Sequence, residues 1–185
     1  MSTYVAFLRA INVAGHAKVK MTDLRRVFEE AGCRNVRTYI QTGNVIFDTP
    51  SKNLASRKKE IQNKLNRLFG AEPMLMYRTT RDMERVLTAA PFKNLKNKTD
   101  VKLYVSFLAK KPRRMPTIPL KAPKEALEVV LADRLEAYVV SRKKKNGGYG
   151  FPNLVVEKEF DVPATSRNWS TVNRIVDMLH DKDGS

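Results

Sequence analysis

Two runs of this sequence crowd positive charge beside aromatic rings: Lys110-Lys111-Pro112-Arg113-Arg114, and Arg142-Lys143-Lys144-Lys145 followed by Tyr149 and Phe151. Neither run can pack in a core. Lys and Arg at this density attract phosphates, and each phosphate they neutralise releases a condensed counterion, so their chemistry is the binding of a polyanion. Lys58 and Lys59, on a predicted helix, belong to the same set. A solvated, functionless loop is the competing explanation for each run taken alone.

A second set of residues is polar and suits a smaller anion. Arg9, Asn12, His16, Lys18 and Lys20 lie in or beside the segment between a first strand and the following helix, whose N-terminal amides favour phosphate. The spacing is not G-x-x-x-x-G-K-S/T, so a structural loop with Asn12 bonded to backbone fits equally. Arg37, Gln41, Thr42 and Asn44 gather guanidinium and amide donors at one hairpin end, although Thr and Asn beside Gly43 are also ordinary turn residues. Arg167-Asn168-Trp169 opens the last predicted helix. There Asn168 caps, and Trp169, the only tryptophan, either borders a pocket or plugs the core. Together Arg9, Asn12, Lys18, Lys20, Arg37, Gln41, Asn44, Arg167 and Trp169 are the candidate lining for a phosphorylated or carboxylated ligand.

Catalytic and metal chemistry have little to work with. His16, His180 and Cys33 are the only histidines and cysteine, so a zinc site of three or four such ligands is not expected. A Ser-His-Asp triad would need one of those histidines, and His180 sits in an acidic tail with Asp177, Asp181 and Asp183. A magnesium-dependent nuclease needs clustered acids that the basic middle lacks. No catalytic motif is recognisable, and no cofactor is expected.

The charge balance points the same way. The 185 residues carry 35 Lys+Arg against 19 Asp+Glu, a net +16, and residues 51–150 hold 24 of the basic and 9 of the acidic groups, or +15 of it. Such a field draws polyanions over long range, and nucleic acid, DNA or RNA bound with low sequence specificity, is the partner expected first. A single cysteine excludes an internal disulfide, and no apolar run is long enough to span a membrane. Met1-Ser2-Thr3-Tyr4 runs straight into a strand without a basic n-region or apolar h-region, so the cytoplasm is the expected compartment.

These residues need elements to position them. Thr3–Leu8 predicts a strand; Thr22 as N-cap, Leu24, Val27, Phe28 and Ala31 at helical spacing, and Gly32 as stop predict a helix. Residues 36–40 and 44–48 predict an antiparallel hairpin turning at Gln41-Thr42-Gly43. A helix over 54–69 follows, with Leu54, Ile61, Leu65 and Leu68 on one stripe, then a strand over 74–78. The order β-α-β-β-α-β is the split βαβ, ferredoxin-like arrangement, which covers one sheet face with helices and leaves the other free. On such a free face Tyr4 and Phe47, and Tyr104 in the second half, would present rings for base stacking, or the bare face would make a homodimer; packing of those rings in a core is the alternative.

A third helix, capped by Thr79 or Thr80, ends near Pro91, and Phe92–Lys98 reads as a basic connector. Tyr104-Val105-Ser106-Phe107-Leu108 then repeats Tyr4-Val5-Ala6-Phe7-Leu8 with one change, 100 residues on. This is either a degenerate duplication or a chance match between strand sequences. Pro112, Pro116, Pro119 and Pro123 break the stretch where a crossover helix would stand. A hairpin over 127–140 turning at Asp133-Arg134, a flexible basic loop over 142–150, a short helix to Phe160 and a closing helix with Val172, Ile175, Val176 and Leu179 inward complete the chain.

Tyr4–Gly15, Lys18-Val19-Lys20-Met21, Arg37–Phe47 and the closing Arg167-Asn168-Trp169-Ser170-Thr171-Val172 resemble the bacterial family known as domain of unknown function 1697. The resemblance implies a bacterial protein with ferredoxin-like halves and carries no function. Ala10 and Ala14 stand where the family's motif has glycine, and Ser170 where it has asparagine, so a glycine cradle for phosphate is not expected in the first loop. The expected fold is α+β: a ferredoxin-like subdomain over 1–91 and a second, degenerate one over 99–185, as a monomer or homodimer.

Overall fold

A strand such as Tyr4-Val5-Ala6-Phe7-Leu8 has no polar side, and must be covered on both faces. In the computed structural model, which describes residues 1–9, 20–69, 72–93, 95 and 99–181, this segment is central to the first of two antiparallel sheets. The chain divides into two units: Met1–Met83 with the described residues from Met178 onward, and Glu84–Asp177. No described helix is long and apolar enough to cross a membrane.

Unit 1 contains β1 (Ser2–Leu8), α1 (Met21–Glu30), β2 (Arg34–Tyr39), β3 (Asn44–Thr49), α2 (Leu54–Phe69), β4 (Leu75–Thr79) and the start of α3 (Thr80–Thr88). Its sheet runs β2-β3-β1-β4, with Tyr4 opposite Phe47 and Val5 opposite Arg78. Tyr4, Ala6, Leu8, Val45 and Phe47 pack with Leu24 and Phe28 of α1 and Ile61 and Leu65 of α2. Phe47 is the hub, its ring centroid 5.8 Å from Tyr4, 5.1 Å from Phe28 and 6.3 Å from Tyr77. Tyr4 and Phe47 therefore serve the core and offer no ring to a base. Alternate residues Val5, Phe7, Ile46 and Met76 on the other face are also buried, which overturns the expectation of a free sheet face. The reason is legible in hindsight: β1 is apolar at both parities, as a two-sided strand must be.

Local details also differ. Helix α1 starts two residues early, with Lys20 rather than Thr22 in the N-cap position and no side-chain cap, while Gly32 adopts φ +81° as a left-handed stop. On α2, Ile61 and Leu65 are buried but Leu68 is exposed, and Phe69, four residues after Leu65, packs against the core in its place. Thr79 caps α3 in a reciprocal arrangement: Asp82 N donates to Thr79 Oγ1 at 3.1 Å, and Thr79 N donates to Asp82 Oδ2 at 3.0 Å. Thr79→Ala removes one half of this box and is expected to cost about 1 kcal/mol, read as a lowered urea midpoint.

Unit 2 holds the rest of α3, then β5 (Val101–Leu108), β6 (Leu120–Ala122), β7 (Leu127–Asp133), β8 (Glu136–Arg142), α4 (Asn153–Phe160), β9 (Ala164–Asn168) and most of α5 (Trp169–His180). Its sheet runs β6-β7-β8-β5-β9. The proline-rich stretch supplies β6, a three-residue edge strand beside β7, in place of a helix. Neither β6 nor β9 is readable from the sequence: one is a short run between prolines, and the other, Ala164-Thr165-Ser166-Arg167-Asn168, carries a turn-like composition. Phe92, expected in an exposed connector, is 1% exposed and packs against Tyr138 and Trp169 at 6.2 and 5.2 Å. Tyr104 is buried with Val129, Val139, Val156 and Phe160, so it too is a core ring.

The two segments that match in sequence occupy matching places. Val105 of β5 lies opposite Arg167 as Val5 of β1 lies opposite Arg78. Each of these buried arginines donates from Nη1 to the carbonyl of the residue before it, at 2.8 Å for Arg78 and 2.9 Å for Arg167. Each stands two residues before a helix, α3 or α5.

Candidate nucleic-acid interface

The run Arg142–Gly150 leaves the end of β8 and folds back on itself as a hydrogen-bonded hairpin. Lys143 bridges Tyr149; Lys144 N donates to Gly148 O at 2.8 Å and Gly147 N to Lys144 O at 2.9 Å. Gly147 takes φ +81°, and Asn146 Oδ1 accepts from Gly148 N at 3.0 Å. Like charges in sequence thus sit on a fixed turn. At its base Ser141 Oγ donates to Gly150 O at 2.9 Å, and a Cβ at Gly150 would stand 2.1 Å from Glu125 O, so only glycine fits there.

Strand β5 brings further groups to this hairpin. Lys102 Nζ lies 4.5 Å from the centre of the Tyr149 ring, a cation–π contact. Two residues along the same face, Tyr104 meets Phe151 edge to face at 5.6 Å. Beside them a cavity of about 360 Å³ is lined by Lys102, Leu103, Tyr104, Asn168, Trp169 and Ser170, where α5 begins. Arg142 pairs with Glu128 at 3.1 Å and Lys143 with Asp100 at 3.8 Å; Lys145 is exposed and Lys144 half-buried. Lys102 was not among the sequence candidates. Its spacing from Tyr104 puts both on one face of a strand, but the ring it covers comes from across the hairpin.

The other cationic candidates are placed differently. Lys110, Lys111, Arg113 and Arg114 are exposed on the β5–β6 connection, where Arg113 and Arg114 line a cavity of about 390 Å³ with Glu159 and Asp161. Those carboxylates oppose an anion at that spot. Lys58 of unit 1 stacks over Tyr77 at 4.6 Å; burial, and then the nearby Arg78 charge, lower its pKa. Lys59 on the same helix is exposed.

The polar set proposed for a small anion is largely engaged in structure. Asn44 is buried and donates from Nδ2 to Tyr39 O at 2.9 Å and Thr42 Oγ1 at 2.8 Å, closing the turn it belongs to. Arg37 donates to Asp181 O at 3.3 Å; Arg9 is half-buried, and Lys20 and Gln41 are exposed. Asn12, His16 and Lys18 lie outside the described residues. In unit 2, Arg167 is buried and donates to Thr165 Oγ1 at 2.8 Å as well as Ser166 O; burial lowers its pKa to about 10. Trp169, for which a pocket edge and a core plug were alternatives, packs on Phe92 and also lines the cavity. Among the described residues, no three His, Cys, Asp or Glu side chains gather in a way that could hold a metal ion. Cys33 is a buried thiol whose pKa desolvation pushes up to about 11, against the lowering effect of Arg57.

Comparison with solved structures finds the conserved bacterial protein SP0830 from Streptococcus pneumoniae, similar over 97% of this chain and 99% of that one, with a TM-score of 0.60 at 18% identity. That identity speaks for the fold alone. Among curated proteins none matches. The model of a family described as proteins of unknown function, DUF1697, matches residues 1–138. Matched over 138 of its 185 residues, the chain belongs to the DUF1697 family.

Proposed function

We propose that the protein binds nucleic acid, DNA or RNA, with low sequence specificity through the basic hairpin of unit 2. One observation carries the reading: a hydrogen-bonded turn holds Arg142, Lys143, Lys144 and Lys145 within four residues while Lys102 from β5 joins them over Tyr149. Five cations beside a ring suit phosphates and sugars, which position a nucleic acid without reading its sequence. The two units are read as ferredoxin-like, the second with β6 standing where α1 stands in the first. Support for that comes from the order β2-β3-β1-β4 and its counterpart β7-β8-β5-β9. Read this way, the shared strand sequence and the paired arginines are traces of a duplication.

Fluorescence anisotropy with a labelled oligonucleotide, followed from low salt upward, tests the binding. Log affinity is expected to fall linearly with log salt, with a slope of about −3.5 to −4.5 for five neutralised phosphates. Heparin competes, since the attraction is to charge. Absence of binding at low salt sinks the proposal.

A further inference from the structure

We infer that the strand this site takes is unpaired, its bases stacking on Phe151 beside the basic hairpin; this rests on the nucleic-acid reading above. Phe151 is 57% exposed and Leu154, one turn further into α4, is 80% exposed. Both lie within ten residues of a run of four cations, Arg142–Lys145. An exposed ring and aliphatic side chain next to dense charge gain by being covered.

The Phe151 ring is held in place as well as open. Its contact with Tyr104 at 5.6 Å fixes its position, and Tyr104 lines the cavity that also contains Asn168, Trp169 and Ser170. At about 360 Å³, that cavity is at the small end of the range of ligand sites, about 300–1,000 Å³, which suits a group the size of one nucleobase. Asn168 and Ser170 supply donors and acceptors for a base edge there.

A duplex buries its base faces in its own stack and shows this surface only backbone and groove edges. An unpaired strand presents a π-face at every nucleotide, and base–aromatic stacking of that kind tolerates any sequence. The same patch could instead enter an anionic lipid surface, with Phe151 and Leu154 as wedges. Asn168 and Ser170 at the cavity argue against that, because their amide and hydroxyl would lose water and gain no partner in lipid.

The test compares a fluorescein-labelled oligothymidine of about 12 nucleotides, within the usual site sizes of single-strand binders, with a mixed-sequence duplex of equal length and with heparin. Phosphatidylserine–phosphatidylcholine vesicles form a fourth arm. The oligothymidine is expected to bind roughly tenfold more tightly than the duplex, Phe151→Ala to remove that margin, and Phe151→Tyr to retain it. Heparin binding should be unchanged in both variants. Equal affinity for strand and duplex, indifferent to Phe151→Ala, overturns this inference and leaves the polyanion reading standing. Failure of oligothymidine, duplex and heparin alike sinks both. Vesicle binding that Phe151→Ala abolishes, without any preference for the single strand, assigns the patch to membranes and likewise overturns the inference.

Discussion

Replacing Lys143, Lys144 and Lys145 together by glutamate is expected to weaken oligonucleotide binding by roughly two orders of magnitude or more near about 0.1 M salt. Each neutralised phosphate contributes a salt slope of about 0.7 to 0.9, so loss of three contacts at that salt removes about a factor of six apiece before the new repulsion is counted. Reversal adds three acids to a turn already flanked by Asp100 and Glu128. The hairpin's own framework is backbone hydrogen bonding, the Gly147 turn and the Ser141–Gly150 bond, none of which the substitutions touch. Circular dichroism and the melting temperature should therefore stay near the parent's while anisotropy falls. A variant that folds and binds as tightly as the parent removes the hairpin from the interface.

The largest stability effect is expected from Phe47→Ala, at about 3–5 kcal/mol. Phe47 is fully buried among Tyr4, Phe28 and Tyr77, joining β3 to β1, β4 and α1 of unit 1. Truncation loses the transfer free energy of the ring and leaves a cavity whose walls come from two strands and a helix. Those elements cannot all close in at once. At an ordinary urea dependence of about 1–3 kcal/mol per molar, the midpoint of the far-ultraviolet transition should drop by more than about 1 M. A loss below about 1 kcal/mol would contradict the packing described for this ring. It would also return Phe47 to the role of a surface aromatic that the sequence leaves open.

That ambiguity is instructive about what a sequence carries. The apolar runs in β1 and β3, the helical stripe through Ile61 and Leu65, and Gly32 and Gly43 at positive φ are local signals, and each produces the element it implies. The same holds for Thr79, whose hydroxyl and the carboxylate three residues on make a cap by proximity alone. Strands β6 and β9 carry no such signal. The backbone groups of β9 are satisfied by β5 some sixty residues earlier, and β6 is a three-residue edge between prolines made a strand by its pairing with β7, so composition says little about either.

The site divides along the same line. Density of charge at Arg142–Lys145, the nearby Tyr149 and Phe151, and the scarcity of histidine and cysteine are properties of composition, visible without a fold. Tertiary structure decided everything about geometry. It folded the Arg142–Gly150 run into a hydrogen-bonded hairpin, set Lys102 over Tyr149, placed Trp169 and Asn168 at a cavity's edge, and engaged Asn44 and Arg167 in their own surroundings. It also buried both faces of the first sheet, removing the open aromatic platform that the β-α-β-β-α-β order suggests. The physical reason is one of range. Charge, propensity and turn chemistry act between neighbours in the chain, whereas burial and side-chain convergence depend on which distant segments pack together, and that is settled only when the whole chain folds.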